Sequence, residues 1–177
     1  MANKNPPSHD WVQSAVERFE GPLIRYAARL TGEAERARDV VQETFLRLCA
    51  ENQLKIEQHL AEWLFTVCRN LALDLRRKEA RMNPLSAAHL ETRASRESSP
   101  SAEMERREVM SQIMQVLESI PDNQQEVIRL KFQNGFSYRE ISGVTGLTMS
   151  NVGFLIHTGL KTIRQRLKVE SAVAPKV

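Results

Sequence analysis

The chain has 177 residues, 41% of them apolar, and a formal net charge of only +3 at neutral pH. That length allows one domain or two small ones, and no apolar run approaches the roughly 20 residues needed to span a bilayer. Cys49 and Cys68 sit in helical patterns rather than in a C-x-x-C pair. Both are expected as buried thiols, with no disulfide framework, metal or cofactor. The opening MANKNPPSHDW contains no apolar signal segment, which predicts a protein kept in the cytosol.

After a tail at residues 1–9, helical periodicity runs over residues 10–81 and predicts a first domain. Gly21-Pro22 is expected to break an opening helix, with Pro22 in the first turn of the next. Ala34, Ala37, Val41, Phe45 and Leu48 fall on one face of a helix. Leu60, Trp63, Leu64, Val67, Cys68, Leu71 and Leu75 do so on a longer one, and both stripes predict core. Off the first stripe, Asp39, Gln42, Glu43 and Arg47 form a polar strip; a solvated face would look the same. On the longer helix Arg69, Asn70, Arg76 and Arg77 gather toward the C-terminal end, where the macrodipole favours cations. The dipole does not explain Asn70, or the aromatics Trp63 and Phe65 nearby. Cations, an amide and aromatic rings together suit single-stranded DNA, whose bases stack and whose phosphates need neutralising.

Residues 82–102 contain Pro84, Pro100 and five serines, and are expected to form a flexible linker. Helical periodicity resumes over residues 103–168, a second domain followed by a tail at 169–177. Asp122 and Gln125, after Pro121, have the spacing of a capping box for the helix bearing Val127, Ile128, Leu130 and Phe132. Asn134-Gly135 is expected to end that helix. Ser137 and Glu140 repeat the capping-box spacing, and Gly146 follows where a tight turn needs a glycine. Ile141, Val144, Leu147, Val152 and Leu155 supply the wedge between two crossed helices, with small Ser142 allowing close approach. That is the pattern of a helix-turn-helix, whose second helix enters the major groove of DNA. No alternating β pattern or internal repeat appears. The fold class is all-α: two small helical domains joined by a flexible linker.

Charge is unevenly spread. Residues 128–168 hold seven basic side chains against Glu140 alone, and residues 69–81 hold five against Asp74 and Glu79. Residues 10–63 instead carry seven basic and ten acidic groups. Two basic patches flanking an acidic stretch predict two nucleic-acid contacts and a separate protein-binding face.

Four segments, in order, resemble a bacterial extracytoplasmic-function sigma factor. They are Asp39-Val-Val-Gln-Glu-Thr-Phe-Leu-Arg47, the run from Trp63 to Arg77, Ile120-Pro-Asp-Asn-Gln-Gln-Glu-Val127, and the helix-turn-helix. The resemblance implies a region 2-like domain at 10–81 and a region 4-like domain at 103–168. It implies that Asp39, Gln42, Glu43 and Arg47 dock on the clamp helices of the β′ subunit of core RNA polymerase. It assigns the segment from Trp63 to Arg77, including Arg69, Asn70 and Arg76, to melting and reading the −10 promoter element. A base flipped from the non-template strand would sit under the loop Lys55-Ile-Glu-Gln-His59, with Lys55, Gln58 and His59 beside it and Asn70 behind. The second domain would bind the −35 duplex and the flap of the β subunit. Thr148, Met149, Ser150, Asn151, Phe154 and His157 would then face base edges, and Arg139, Lys161 and Arg164 phosphates. No catalytic constellation is needed or present, and an anti-sigma factor is the expected regulator.

One departure stands out. Many relatives carry several basic residues along the recognition helix; here the chain has Gly153, Phe154, Leu155, Thr158, Gly159 and Leu160. Two readings follow: a wider core stripe, or an apolar patch at Phe154 and Leu160 for an anti-sigma factor or the first domain folded back. Guanine readout by arginine is depleted either way, and thymine-methyl contact by Met149 or Phe154 is the physical replacement. His59 and His157 are expected to be solvated or near phosphate rather than to act as pH sensors. Beside a promoter-specificity subunit, two other functions fit parts of the pattern. A stand-alone helix-turn-helix regulator would not need both the strip at 39–47 and the cluster at 69–77. A sigma mimic that titrates an anti-sigma factor would not need two basic surfaces.

Overall fold

The computed structural model describes residues 7–82 and 102–173, and the side chains of residues 7–82 and 110–168. The expected linker and both tails therefore lie largely outside the described residues. In chain order the helices are α1 (His9–Thr31), α2 (Ala34–Cys49), the single turn α3 (Gln53–Ile56) with a 3₁₀ turn at Glu57–His59, and α4 (Leu60–Met82). After these come α5 (Ala102–Glu118), α6 (Asp122–Phe132), α7 (Tyr138–Thr145) and α8 (Met149–Val173). No strand occurs among the described residues, so the fold is all-α, and the helices fall into two compact units, the first built on α1–α4 and the second on α5, α6, α8 and most of α7.

In the first unit, α1, α2 and α4 pack on one another. Ser8 caps α1, its hydroxyl accepting from the Trp11 N–H at 3.3 Å, and Gly32 ends it in the left-handed region (φ +78°). Gly21-Pro22 does not break this helix, which runs through both residues. Proline inside a helix costs about 3 kcal/mol. Ala15 before it and Leu23, Tyr26 and Ala27 after it are all buried, and burying large side chains at about 1.5–3 kcal/mol each outweighs that local cost. The core continues through Ala37, Val41 and Leu48 of α2 and Leu64, Phe65, Cys68 and Ala72 of α4.

Phe65, expected among the DNA-facing aromatics, is instead buried against Tyr26, with ring centroids 5.1 Å apart. The stripes also rotate slightly from the expected ones. Val40 and Thr44 are buried on α2 while Ala34 is exposed, and Trp63, Val67, Leu71 and Leu75 are only half-buried on α4. Cys68 is buried as expected, but Cys49, at the last turn of α2, is exposed.

In the second unit α8 packs on α5 and α6. The expected capping box at Asp122 and Gln125 does not form, because Asp122 is already the first helical residue. The Pro121 carbonyl accepts from the Gln124 and Gln125 N–H groups, and the Gln125 side-chain amide donates back to the Ile120 carbonyl at 2.8 Å. The helix ends as expected, with Gly135 at φ +75° and the Phe136 N–H bonded to the Leu130 carbonyl. Buried Phe136 fills the core there, whereas Phe132 is exposed. Arg166 ties α8 to the turn before α6, donating to the Ser119 carbonyl at 3.0 Å and to its hydroxyl. α8 itself continues past the expected end at residue 168, to Val173.

Candidate nucleic-acid interface and docking face

The helix-turn-helix is built as its sequence requires. The Ser137 hydroxyl accepts from the Glu140 N–H at 3.2 Å, and the Glu140 carboxylate accepts from the Ser137 N–H at 2.7 Å. The Ser137 hydroxyl also donates to the Glu140 carboxylate at 2.6 Å, and this bond, with the one from the Ser137 N–H, favours the ionised form and holds the Glu140 carboxyl below its ordinary value of 4.5. Gly146 turns the chain in the left-handed region (φ +74°), its N–H bonded to the Ser142 carbonyl at 2.9 Å. Ser142 does more than leave room: its hydroxyl donates to the Leu147 carbonyl at 2.5 Å and so fixes the turn. Ile141, Val144, Val152 and Leu155 are buried.

The two glycines of α8 have packing roles. A Cβ on Gly159, which is buried, would lie 2.6 Å from the Ile128 Cδ1 and 3.3 Å from the Gln124 Cβ, so the glycine lets α6 and α8 approach closely. Gly153 lies under the Tyr138 ring of α7, where a Cβ would be in ordinary contact at 3.4 Å. Gly159 belongs to the buried face of α8, whereas Gly153 borders the exposed one. Ser150, Phe154, His157, Lys161 and Arg164 are all exposed and lie along one side of α8. Thr148 is exposed but caps the helix, its hydroxyl accepting from the Asn151 N–H at 3.2 Å. Met149 is 57% exposed, at the first turn and away from that row. Asn151 is exposed on the row's flank, and Arg139 is exposed on α7.

In the first unit, α4 presents Trp63, Asn70 and Arg77 in line at intervals of seven, opposite buried Cys68 and Ala72. Asn70 and Arg77 are exposed and Trp63 is half-buried. Arg69 and Arg76 lie on a neighbouring line, the first half-buried and the second exposed. Arg77 pairs with Asp74 at 3.1 Å, while Arg36 of α2 reaches Glu79 at 2.5 Å and so offsets an acidic group at the basic end of α4. The expected loop at residues 55–59 is instead α3 and a 3₁₀ turn, opened by the Asn52 side chain accepting from the Leu54 N–H at 3.0 Å. Ile56 anchors it in the core, leaving Lys55, Gln58 and His59 exposed.

The strip on α2 is an outward face. Asp39, Gln42 and Arg47 are exposed, Glu43 is half-buried, and Arg47 pairs with Glu43 at 3.0 Å. Within it stands Leu46, 59% exposed and unnoticed in the sequence pattern, although its offsets of seven from Asp39 and three from Glu43 place it on this face. Leu54, 68% exposed beside Lys55, is a second such residue. Among the described residues no group of His, Cys, Asp and Glu could hold a metal, and no helix is long and apolar enough to cross a membrane.

Comparison with known proteins gives these faces a context. Residues 15–82 match the family model of sigma-70 region 2, and residues 110–163 that of sigma-70 region 4. The chain is 30% identical over 162 residues to the ECF RNA polymerase sigma factor SigL of Mycobacterium tuberculosis, covering 89% of each protein. It is 29% identical over 154 residues to the ECF sigma factor EcfG of Rhodopseudomonas palustris, covering 85% of this chain and 82% of that one. In fold it is similar to the sigma factor RpoE of Bartonella quintana, solved in complex with the anti-sigma factor NepR. That match has a TM-score of 0.66 and 20% identity, over 92% of this chain and 99% of that one.

Two helical units, one matching region 2 and the other region 4, define a protein of the sigma-70 class. Within that class the chain belongs to the ECF RNA polymerase sigma factors, and it serves as a promoter-specificity subunit that recruits core RNA polymerase to initiate transcription. The stand-alone regulator is set aside by the region 2 match at residues 15–82.

Proposed function

We propose that the chain divides this task between a first domain at about residues 10–81 and a second at about 103–168. The outward face of α2 (Asp39, Gln42, Glu43, Arg47, with Leu46 as an apolar anchor) docks on the β′ clamp helices of core polymerase. The outward line of α4 (Trp63, Asn70 and Arg77, flanked by Arg69 and Arg76) captures the non-template strand of the −10 element. Lys55, Gln58 and His59 border the position of a flipped base. Capturing an unstacked base and the adjoining backbone offsets an unstacking cost of a few kcal/mol, so the strands open without hydrolysis and the chain acts without being an enzyme. α8 enters the major groove of the −35 duplex, with Ser150, Asn151, Phe154 and His157 toward the bases and Arg139, Lys161 and Arg164 toward phosphates. The same unit meets the β flap. An anti-sigma factor, the kind of partner that accompanies RpoE in its solved complex, holds the protein inactive in the cytoplasm.

The observation that carries this reading is Asn70. It is exposed in mid-helix on α4, between the half-buried Trp63 and the exposed Arg77, where it serves no packing role. The experiment pairs Asn70→Ala with Leu46→Ala and measures core-enzyme affinity and promoter opening for each. Asn70→Ala lowers opening about ten-fold while leaving the Kd for core enzyme within two-fold, the size expected when one base contact is lost. Leu46→Ala weakens core binding by a similar factor through loss of an apolar contact. Equal loss of both activities by Asn70→Ala would make the residue structural and overturn its assignment.

A further inference from the structure

The recognition helix of an ordinary duplex reader presents arginine, lysine or amide groups to base edges. Here the first three turns of α8, from Met149 through Leu160, contain no arginine or lysine. Lys161 comes about 18 Å along the helix from its start, at 1.5 Å per residue. The exposed row over those turns is Ser150, Phe154 and His157, and Phe154 at its centre is 64% exposed.

The surroundings of Phe154 decide what it can meet. Its neighbours one turn away are Ser150, Asn151, His157 and Thr158, all polar, with Lys161 two turns on. Leu160 is half-buried and about 120° around the helix, and Met149 about 140° around, so neither extends an apolar surface from the ring. A protein-docking patch needs contiguous apolar area, and a lone ring on a polar, distally basic face does not supply it. The wider core stripe fails too, because the buried face of α8 is already complete in Val152, Leu155, Ile156, Gly159 and Ile163. A phenyl ring has no hydrogen-bonding group. In the major groove the base feature complementary to it is the C5 methyl of thymine.

We infer that Phe154 is the specificity-determining residue of this recognition helix and reads one or two thymine methyls in the upstream promoter element. Ser150 and His157 flank the contact on the same row, and Lys161 and Arg164 hold the adjacent phosphates. The inference rests on the proposed role of α8 as the −35 reader and names the chemistry by which it reads. Met149, expected as an equivalent candidate, belongs to a different side of the helix and is not part of the contact.

The test uses the full chain assembled with core RNA polymerase. Upstream duplexes are selected from a randomised library, and each thymine of the winning sequence is then replaced by uracil, which removes only the methyl. With the natural residue, uracil at one or two positions weakens binding about four-fold, the effect of one lost apolar methyl contact. With Phe154→Ala, thymine and uracil bind equally at those positions. Phe154 is exposed, so the variant folds, and circular dichroism verifies this. An enriched upstream sequence that is indifferent to uracil, or a Phe154→Ala protein that keeps the full thymine preference, would overturn the inference while leaving the −35 reading in place. No enrichment upstream, with normal selection of a −10 sequence, would overturn the −35 reading itself.

Discussion

Single residues in this chain are set by what each touches, and two pairs of identical residues make the point. Burial pushes the Cys68 thiol up to about 12, even with the Thr44 side chain hydrogen-bonded to it, so it stays protonated and inert. Its folded value exceeds the ordinary thiol value of 9.0, so its contribution to stability is complete below pH 9 and declines as pH rises toward 12. Cys49 is exposed. A thiol reagent at pH 8 therefore labels one cysteine in the native protein, lost in Cys49→Ser, and reaches Cys68 only after unfolding. The glycines of α8 differ in the same way. Gly159→Ala gains about 1 kcal/mol of helix propensity but overpacks Ile128 and Gln124 at a cost of about 1–3 kcal/mol, so it lowers stability in a denaturant titration. Gly153→Ala meets only the Tyr138 ring at ordinary distance and raises stability by up to about 1 kcal/mol. Spacing revealed neither difference: both cysteines sit in helical patterns, and both glycines looked like the same propensity defect. The partner that separates Gly159 from Gly153 is Ile128, which lies on another helix and is invisible to local pattern.

At the scale of elements, local chemistry was legible where it closed on itself. The Ser137–Glu140 box and the Gly146 turn need only residues within one turn of each other, and the structure has both. The same spacing at Asp122 and Gln125 failed because Pro121 took the capping position and Gln125 turned its amide back to the preceding carbonyls. Pro22 shows the opposite balance, with core burial carrying a helix through a residue that locally favours a break. The box also has a pH signature. The Glu140 carboxyl is held below 4.5 by its bonds from Ser137. Its contribution is thus fully present above that pH and is lost as pH falls through the lower folded value. Thermal melts across pH 6 to 3 should show a drop in stability that Glu140→Gln flattens. Ser137→Ala at neutral pH should cost about 1 kcal/mol.

For the whole molecule, the sequence showed the all-α class and the two-part organisation because amphipathic helices announce their faces. Leu46 passed unnoticed among the polar residues of α2, and Phe154, expected toward base edges, was separated from a wider core stripe only once the buried face of α8 was fixed. Those two residues lie on the surfaces proposed for core polymerase and for upstream DNA, and α4 supplies the surface proposed for strand opening. The central claim is that these surfaces act together in one initiation factor, with the helix-turn-helix as the second of two DNA grips. Reconstituted transcription with purified core enzyme on a library of promoter fragments tests this most directly. The account predicts transcripts from fragments sharing both an upstream and a −10 sequence, with the −10 strands open and opening dependent on core enzyme. Tight duplex binding by the protein alone, with no opening on any fragment in the presence of core enzyme, would contradict it.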